Sequence, residues 1–435
     1  MKKLLSLVFV LVFVVCAASV PAYAYKPTFE TKAKAAILYN NDTDTVVYSK
    51  NADEKMFPAS LTKIMVAVLF VENCDNLQDL TLTVSEDIYL RYRYSDAVIA
   101  GFETGDKVNG YDLLAYTLVK SCADAAGLIA EYVSGSEDAF IDLMNKKAVE
   151  IGLANTHFEN CHGLHDENHY STARDMCILT KYAMQYSVIT DIVKVARYET
   201  KDNITLAATN LLIDPSSEYY YKYATGFKTG FTDEAGRCLA STATYDGMTY
   251  ISVLLGCPAQ ENSLENRYEF LDTAEFFRWA FTNFSYRSVV NAGETIDSIP
   301  IAYSWDNDTV NIRPEKEVYA LIPNDADLST VELKPEYTQK SVEAPVKKGQ
   351  KVGTVSVYYA GEKIGETSAV IAESVEGSQL LRVTAAVKRF FKKYKNIFLG
   401  VLVLIILVVI VFAAAVIRLN SKRKKYGRVR KYRRF

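Results

Sequence analysis

Ser60 and Lys63 are the first residues of this 435-residue chain whose types and spacing suit covalent chemistry. Pro58, followed by the apolar periodic run from Leu61 to Met65, places Ser60 at a helix start. Lys63 lies three residues on, on the same helical face, with its amine in reach of the serine hydroxyl. A hydroxyl is a weak nucleophile until a base takes its proton. Apolar surroundings and a helix N-terminus both push a lysine toward its neutral, basic form. The pair therefore reads as a nucleophile and its base, equipped for acyl transfer. The second candidate is Lys228-Thr229-Gly230, followed by Phe231. Gly230 suits a strand edge that passes close to a ligand. Lys228 offers positive charge and Thr229 a donor, a combination that suits a carboxylate. Either motif alone arises by chance in many chains.

The elements that must position these residues follow from the periodicities. Ala35–Tyr39 and Thr45–Tyr48 are β-rich runs separated by the turn residues Asn40–Asp44, which predicts a hairpin. From Ala59 to about Tyr186 the spacing is helical, as at Phe140, Met144, Ala148 and Ile151. Strands return near Thr225, with Cys238–Ala243 and Thr249–Leu255, and Glu265–Phe281 is again helical. Strands at both ends of a helical middle predict one α+β domain whose sheet draws on both chain ends. From about Asn291 short β runs alternate with Gly, Asp and Pro turns, the pattern of a separate small all-β domain.

Charge and hydropathy fix the compartment. Between residues 25 and 387 the chain carries 32 basic and 52 acidic residues, a net of −20. A body so acidic is a poor partner for nucleic acid phosphates, and no nucleic-acid role is expected. Residues 1–24 read as a secretory signal: Lys2 and Lys3, an apolar run, then Ala22-Tyr23-Ala24 as the cleavage site. Residues 397–417 hold no charge and are long enough to span a bilayer as a helix. Residues 418–435 carry ten Lys or Arg, which belong on the cytoplasmic side. The body is then extracytoplasmic, held at the membrane by a single C-terminal pass. In residues 376–396, Leu380, Val383, Val387, Phe390 and Tyr394 share one helical face beside a basic one, which suits either a helix resting on the outer leaflet or a helical stalk. Six cysteines remain after the signal, and in a chain that can bury its own core, free buried thiols are the expected state.

Taken together the two motifs gain weight from further blocks. Pro58-Ala-Ser-Leu-Thr-Lys-Ile-Met65, Asn155-Thr-His-Phe158, His162-Gly-Leu164, His169-Tyr-Ser-Thr-Ala-Arg-Asp-Met176 and Gly226-Phe-Lys-Thr-Gly-Phe-Thr232 resemble, in this order, the serine D-alanyl-D-alanine carboxypeptidases among the low-molecular-mass penicillin-binding proteins. The resemblance runs from about residue 30 to 285, and more loosely to about 373. It implies a transpeptidase-like catalytic domain over 25–285, of the serine β-lactamase type with an antiparallel sheet and a helical subdomain. A β-rich domain follows over 286–375. It also implies removal of the terminal D-alanine from peptidoglycan stem peptides without a cofactor, and covalent inhibition by β-lactams. By resemblance Ser60 would attack, Lys63 would act as base, and Ser121 would shuttle a proton. The backbone N–H groups of Ser60 and Phe231 would hold the oxyanion. Lys228, Thr229, Gly230 and Arg267 would bind the substrate's carboxylate end.

One block departs from the family. Its middle Ser-x-Asn motif reads Ser121-Cys122-Ala123-Asp124 here. Ala123 lacks the expected amide, so activity is expected to be reduced or narrowed, and restoring the amide with Ala123→Asn to speed acylation. The same change motivates a second reading, a catalytically weak peptidoglycan-binding or regulatory protein. Two other readings share residues with this site. His157, His162, His165 and His169 suggest a metal cluster, but the loop resemblance accounts for all except His165. A β-lactamase would need an extra carboxylate, and Glu159 lacks the pattern expected around it.

Overall fold

A computed structural model describes residues 27–259 and 266–431. The expected signal segment and the last four residues of the tail lie outside that description. By its internal contacts the chain divides into two units, one of Met1–Arg287 with Ala320–Thr330 and Ala360–Glu362, the other holding the remainder.

The first unit is built on an antiparallel sheet. Strands β1 (Ala35–Asn40) and β2 (Thr45–Lys50) form the expected hairpin. Strands β3 (Ala224–Gly226), β4 (Thr229–Thr232), β5 (Gly236–Tyr245) and β6 (Met248–Cys257) come from the far end of the unit. The order is β2-β1-β6-β5-β3, with β4 also on β5. Register pairs Ile37 with Val253, and Ile251 with Thr242. Side chains alternate across a strand, so each strand feeds two cores. Ala35, Ile37, Ile251 and Val253 face the helical side. Ala36, Leu38, Tyr250 and Leu254 face Phe276, Phe277 and Ala280 of a helix on the opposite side.

The helical side centres on α1 (Lys63–Glu72), buried on every face from Lys63 to Phe70. A helix apolar all round belongs inside a larger protein, and here α2 (Ala123–Ser134), α3 (Glu137–Glu150) and α4 (Ala173–Ala183) surround it. Ser136 caps α3 by accepting from Ala139 N–H, and Thr172 caps α4 by accepting from Asp175 N–H. Helix α5 (Tyr268–Asn283) covers the other face of the sheet. The six cysteines are free thiols, all but Cys74 buried.

The second unit holds a six-stranded sheet with a core of Ile299, Ile301, Val310, Ile312, Val355 and Ile371. It ends in one helix of 53 residues, Gln379–Lys431, long and apolar enough over Gln379–Ser421 to cross a membrane. Residues 379–396 and the apolar stretch belong to this same helix.

Candidate active site

The nucleophile sits on a tight turn. Pro58 is helical, Ala59 takes a left-handed φ of 49°, and Ala59–Thr62 form a 3-10 turn that runs into α1. A left-handed alanine is strained by roughly 1 kcal/mol, so something must hold the turn. Part of that hold is a chain of hydrogen bonds. Glu159 N–H donates to His169 Nδ1 at 3.1 Å, which leaves Nε2 to carry the ring proton. Nε2 lies 2.7 Å from Thr62 Oγ1, and Thr62 donates to Ala59 O at 2.7 Å. Burial pushes His169 down to about 3, so the ring is neutral and keeps this tautomer at physiological pH.

Two glycines let neighbouring segments close on the turn. Gly163 has φ +82°, and a Cβ there would lie 2.1 Å from Ala59 O and 2.9 Å from Ser60 N. A Cβ on Gly230 would lie 2.9 Å from Pro58 O and 3.2 Å from Ser60 N. The Gly163 approach also brings His162 O within 2.5 Å of Lys63 Nζ.

Lys63 is buried, and its Nζ is 3.2 Å from Ser60 Oγ. Burial pulls its pKa to about 8, against the opposing fields of Cys161, Cys122 and Asp124. The sequence reading expected this direction. Apolar enclosure is the cause the structure supports, since Lys63 is already the first residue of α1 with one side of its amine on a carbonyl.

Ser121 follows a π-helical turn, Tyr116–Lys120, and takes a left-handed φ of 69° that turns the chain into α2. It lines the same cleft as Ser60 and Lys63, whose volume is about 470 Å³. Ala123 is fully buried at the first position of α2, and its N–H donates to Val98 O at 2.8 Å. Asp124, one residue on, accepts from Ala100 N–H at 2.8 Å and Gly101 N–H at 3.0 Å. This pair of residues ties down the loop bearing Asp96, Ala97 and Val98, which form another wall of the cleft. An asparagine amide at 123 would have to enter a closed pocket, so the expected gain from Ala123→Asn is opposed by the cost of burying a polar group.

Strand β4 supplies the facing wall. Lys228 and Ala240 exchange both backbone hydrogen bonds at 2.9 Å, and Gly230 then pairs with Cys238 and Phe231 with Arg237. Bonded and non-bonded pairs alternate along an antiparallel ladder, so the N–H groups of Thr229 and Phe231 turn away from β5. The same alternation separates the side chains. Thr229 and Phe231 line the cleft, and Thr229 Oγ1 donates to Thr209 Oγ1 at 2.7 Å. Lys228, read from sequence as supplying positive charge for a carboxylate, is fully buried on the Gly230 face, the face that packs against the Ser60 turn, with Nζ donating to Thr229 O at 2.9 Å. Burial, then the charge of Lys63, holds its pKa well below that of an ordinary lysine.

Arg267 lines the cleft and donates through Nε to Glu269 Oε1 at 2.5 Å, so the ion pair and the cleft position coexist. The sequence reading missed Arg237 and Glu269, which line the cleft beside it. A short hairpin around Asp233–Ala235 was the available clue, since it sets residue 237 opposite 231. His157 and Glu159 face each other at 3.4 Å, and neither lines the cleft. Among the described residues no cluster of His, Cys, Asp and Glu is arranged to hold a metal.

Comparison with known proteins gives this geometry a context. Residues 21–259 match the family described as D-alanyl-D-alanine carboxypeptidase, and residues 284–377 match the C-terminal domain of penicillin-binding protein 5. The chain is 30% identical over 354 residues to D-alanyl-D-alanine carboxypeptidase DacF of Bacillus subtilis, covering 79% of this chain and 86% of that protein. It is 30% identical over 373 residues to DacC of Escherichia coli, covering 82% and 88%. The crystal structure of penicillin-binding protein 5 from Haemophilus influenzae superposes with a TM-score of 0.62 at 27% identity, over 81% of this chain and 99% of that one.

Proposed function

This chain belongs to the D-alanyl-D-alanine carboxypeptidase family, and on that premise we propose how its own residues carry the reaction. It is a serine-type DD-carboxypeptidase of peptidoglycan metabolism. Ser60 Oγ attacks the carbonyl carbon between the two terminal D-alanines while Lys63 takes the hydroxyl proton. The tetrahedral oxyanion rests on the N–H groups of Ser60 and Phe231, fixed donors that need no reorganisation as charge develops. Ser121 relays the proton to the leaving nitrogen, D-alanine departs, and the shortened peptide remains as an ester on Ser60. Water, deprotonated by Lys63, then attacks that ester, and the serine recovers its proton. Thr229 and Arg267 receive the substrate carboxylate, Gly230 lets the strand approach, and Lys228 raises the positive potential behind it. β-Lactams would present the same carbonyl and carboxylate and acylate Ser60.

The observation that carries this reading is the buried Lys63 amine 3.2 Å from Ser60 Oγ at the floor of an open cleft. A protein kept only for binding peptidoglycan has no use for a buried lysine amine held against a serine hydroxyl in a cleft, which disfavours the regulatory alternative. The reading is tested by D-alanine release from a pentapeptide ending in D-Ala–D-Ala. Release is expected from the wild type and is expected to be lost in Lys63→Ala. Release that survives in Lys63→Ala would remove the lysine from the mechanism.

We also place the catalytic unit outside the cytoplasmic membrane, released from its signal after Ala24. The Gln379–Lys431 helix would anchor it and the basic tail would face the cytoplasm. This is supported by the length and apolarity of that helix and by the run of Lys and Arg from Arg418 onward.

A further inference from the structure

Two guanidinium groups share one buried carboxylate at the Thr229 end of the cleft. Glu269, with 2% of its side chain exposed, takes Arg267 Nε at 2.5 Å and lies 3.8 Å from Arg237 Nη1. Arg237 and Arg267 keep 24% and 22% of their side chains exposed. Arg237 is also held from its other side, its guanidinium carbon 5.2 Å from the centre of the Phe231 ring. Its place on β5 is set by the ladder, which puts it opposite Phe231. All four side chains line the cleft.

Among the described residues of this cluster two arginines face one carboxylate, and guanidinium groups keep their charge. The described residues leave this cluster with one more cation than anion, where a planar, bidentate acceptor would meet two guanidinium forks. We infer that Arg237 is a specificity-determining residue for the terminal carboxylate of the substrate, forming with Arg267 a two-guanidinium receptor preset by Glu269. The inference rests on the assignment of Arg267 to that carboxylate above. It adds a residue that neither motif contains and that the hairpin register supplies.

The test uses the full-length enzyme in detergent and two N-acylated peptides ending in D-Ala–D-Ala, one with a free C-terminal carboxylate and one amidated there. Arg237→Gln is expected to lower kcat/KM for the free acid about tenfold, the effect of one charge-assisted hydrogen bond. It is expected to change the amide less than twofold, so that discrimination between the two collapses. Arg237→Lys, which keeps the charge and loses the fork, is expected to fall between. An equal loss on both peptides, with or without a lowered Tm, would make Arg237 merely structural and overturn the inference. So would an unchanged free-acid rate. If Arg267→Gln abolishes discrimination while Arg237→Gln does not, this inference alone fails. If the wild type releases no D-alanine from the free acid, the function proposed above fails instead.

Discussion

The pKa of Lys63 gives the mechanism a shape that pH can read. With a value of about 8, the neutral amine makes up about a tenth of the enzyme at pH 7, half at pH 8 and nine-tenths at pH 9. If Lys63 is the base, acylation rises about tenfold from pH 7 to 9 and levels off above that. An ordinary lysine near 10.5 would instead give a hundredfold rise over the same interval with no plateau. The assay is stopped-flow acylation by a fluorescent penicillin from pH 6 to 10, taken as the second-order rate constant. A flat profile from 7 to 9, or a rate still climbing in proportion to hydroxide at pH 9, would refute the assignment. The same shift bears on stability. The folded pKa lies below the unfolded one, so between about 8 and 10.5 the unfolded chain binds more protons and stability rises with pH. Below pH 8 the full penalty applies, on the order of 3 kcal/mol. Lys63→Met, inactive, is therefore expected to melt above wild type at pH 7. That advantage should shrink as pH rises from 8 to 10; a lead that stays constant would show that the lysine is not strained by its burial.

Three further outcomes follow from the packing. Gly163→Ala forces a Cβ into Ala59 O at a positive φ; displacing the nucleophile turn is expected to slow acylation about a hundredfold, and near-wild-type labelling would mean the turn tolerates the shift. Asp124→Ala strands the N–H groups of Ala100 and Gly101; a stability loss of about 3 kcal/mol and a raised KM are expected, and an unchanged KM would free the 96–98 wall from any substrate role. Truncation after Asn396 is expected to give a secreted, soluble ectodomain with kcat within twofold of the full chain; its retention in the membrane pellet would point to another anchor.

What sequence could and could not read follows from the kind of signal each feature leaves. The Ser60–Lys63 pairing was legible because a helical spacing of three brings side chains together, and Lys63 indeed begins α1. The sheet made from both chain ends was legible in the apolar runs 35–39 and 249–255, now β1 and β6. The strand Glu332–Tyr337 was not, because its alternate residues are exposed and charged, and the run lacks an apolar core signal. Lys228 reads from sequence as a positive charge for a carboxylate, and its full burial leaves no mark in the Lys-Thr-Gly triplet. The His162 carbonyl that receives Lys63 is backbone and leaves no mark in residue type. Arg237 depends on register across a hairpin, which no local motif encodes. The His169–Thr62–Ala59 relay links residues more than a hundred positions apart, and only the fold brings them together.

The central claim is that Ser60 carries the acyl group. Intact-mass measurement after incubation with benzylpenicillin, followed by peptide mapping, tests it most directly. One penicilloyl adduct per chain is expected, located on the peptide containing Ser60 and absent from Ser60→Ala. An adduct of the same mass on Ser60→Ala, or mapped to any other serine, would contradict the account.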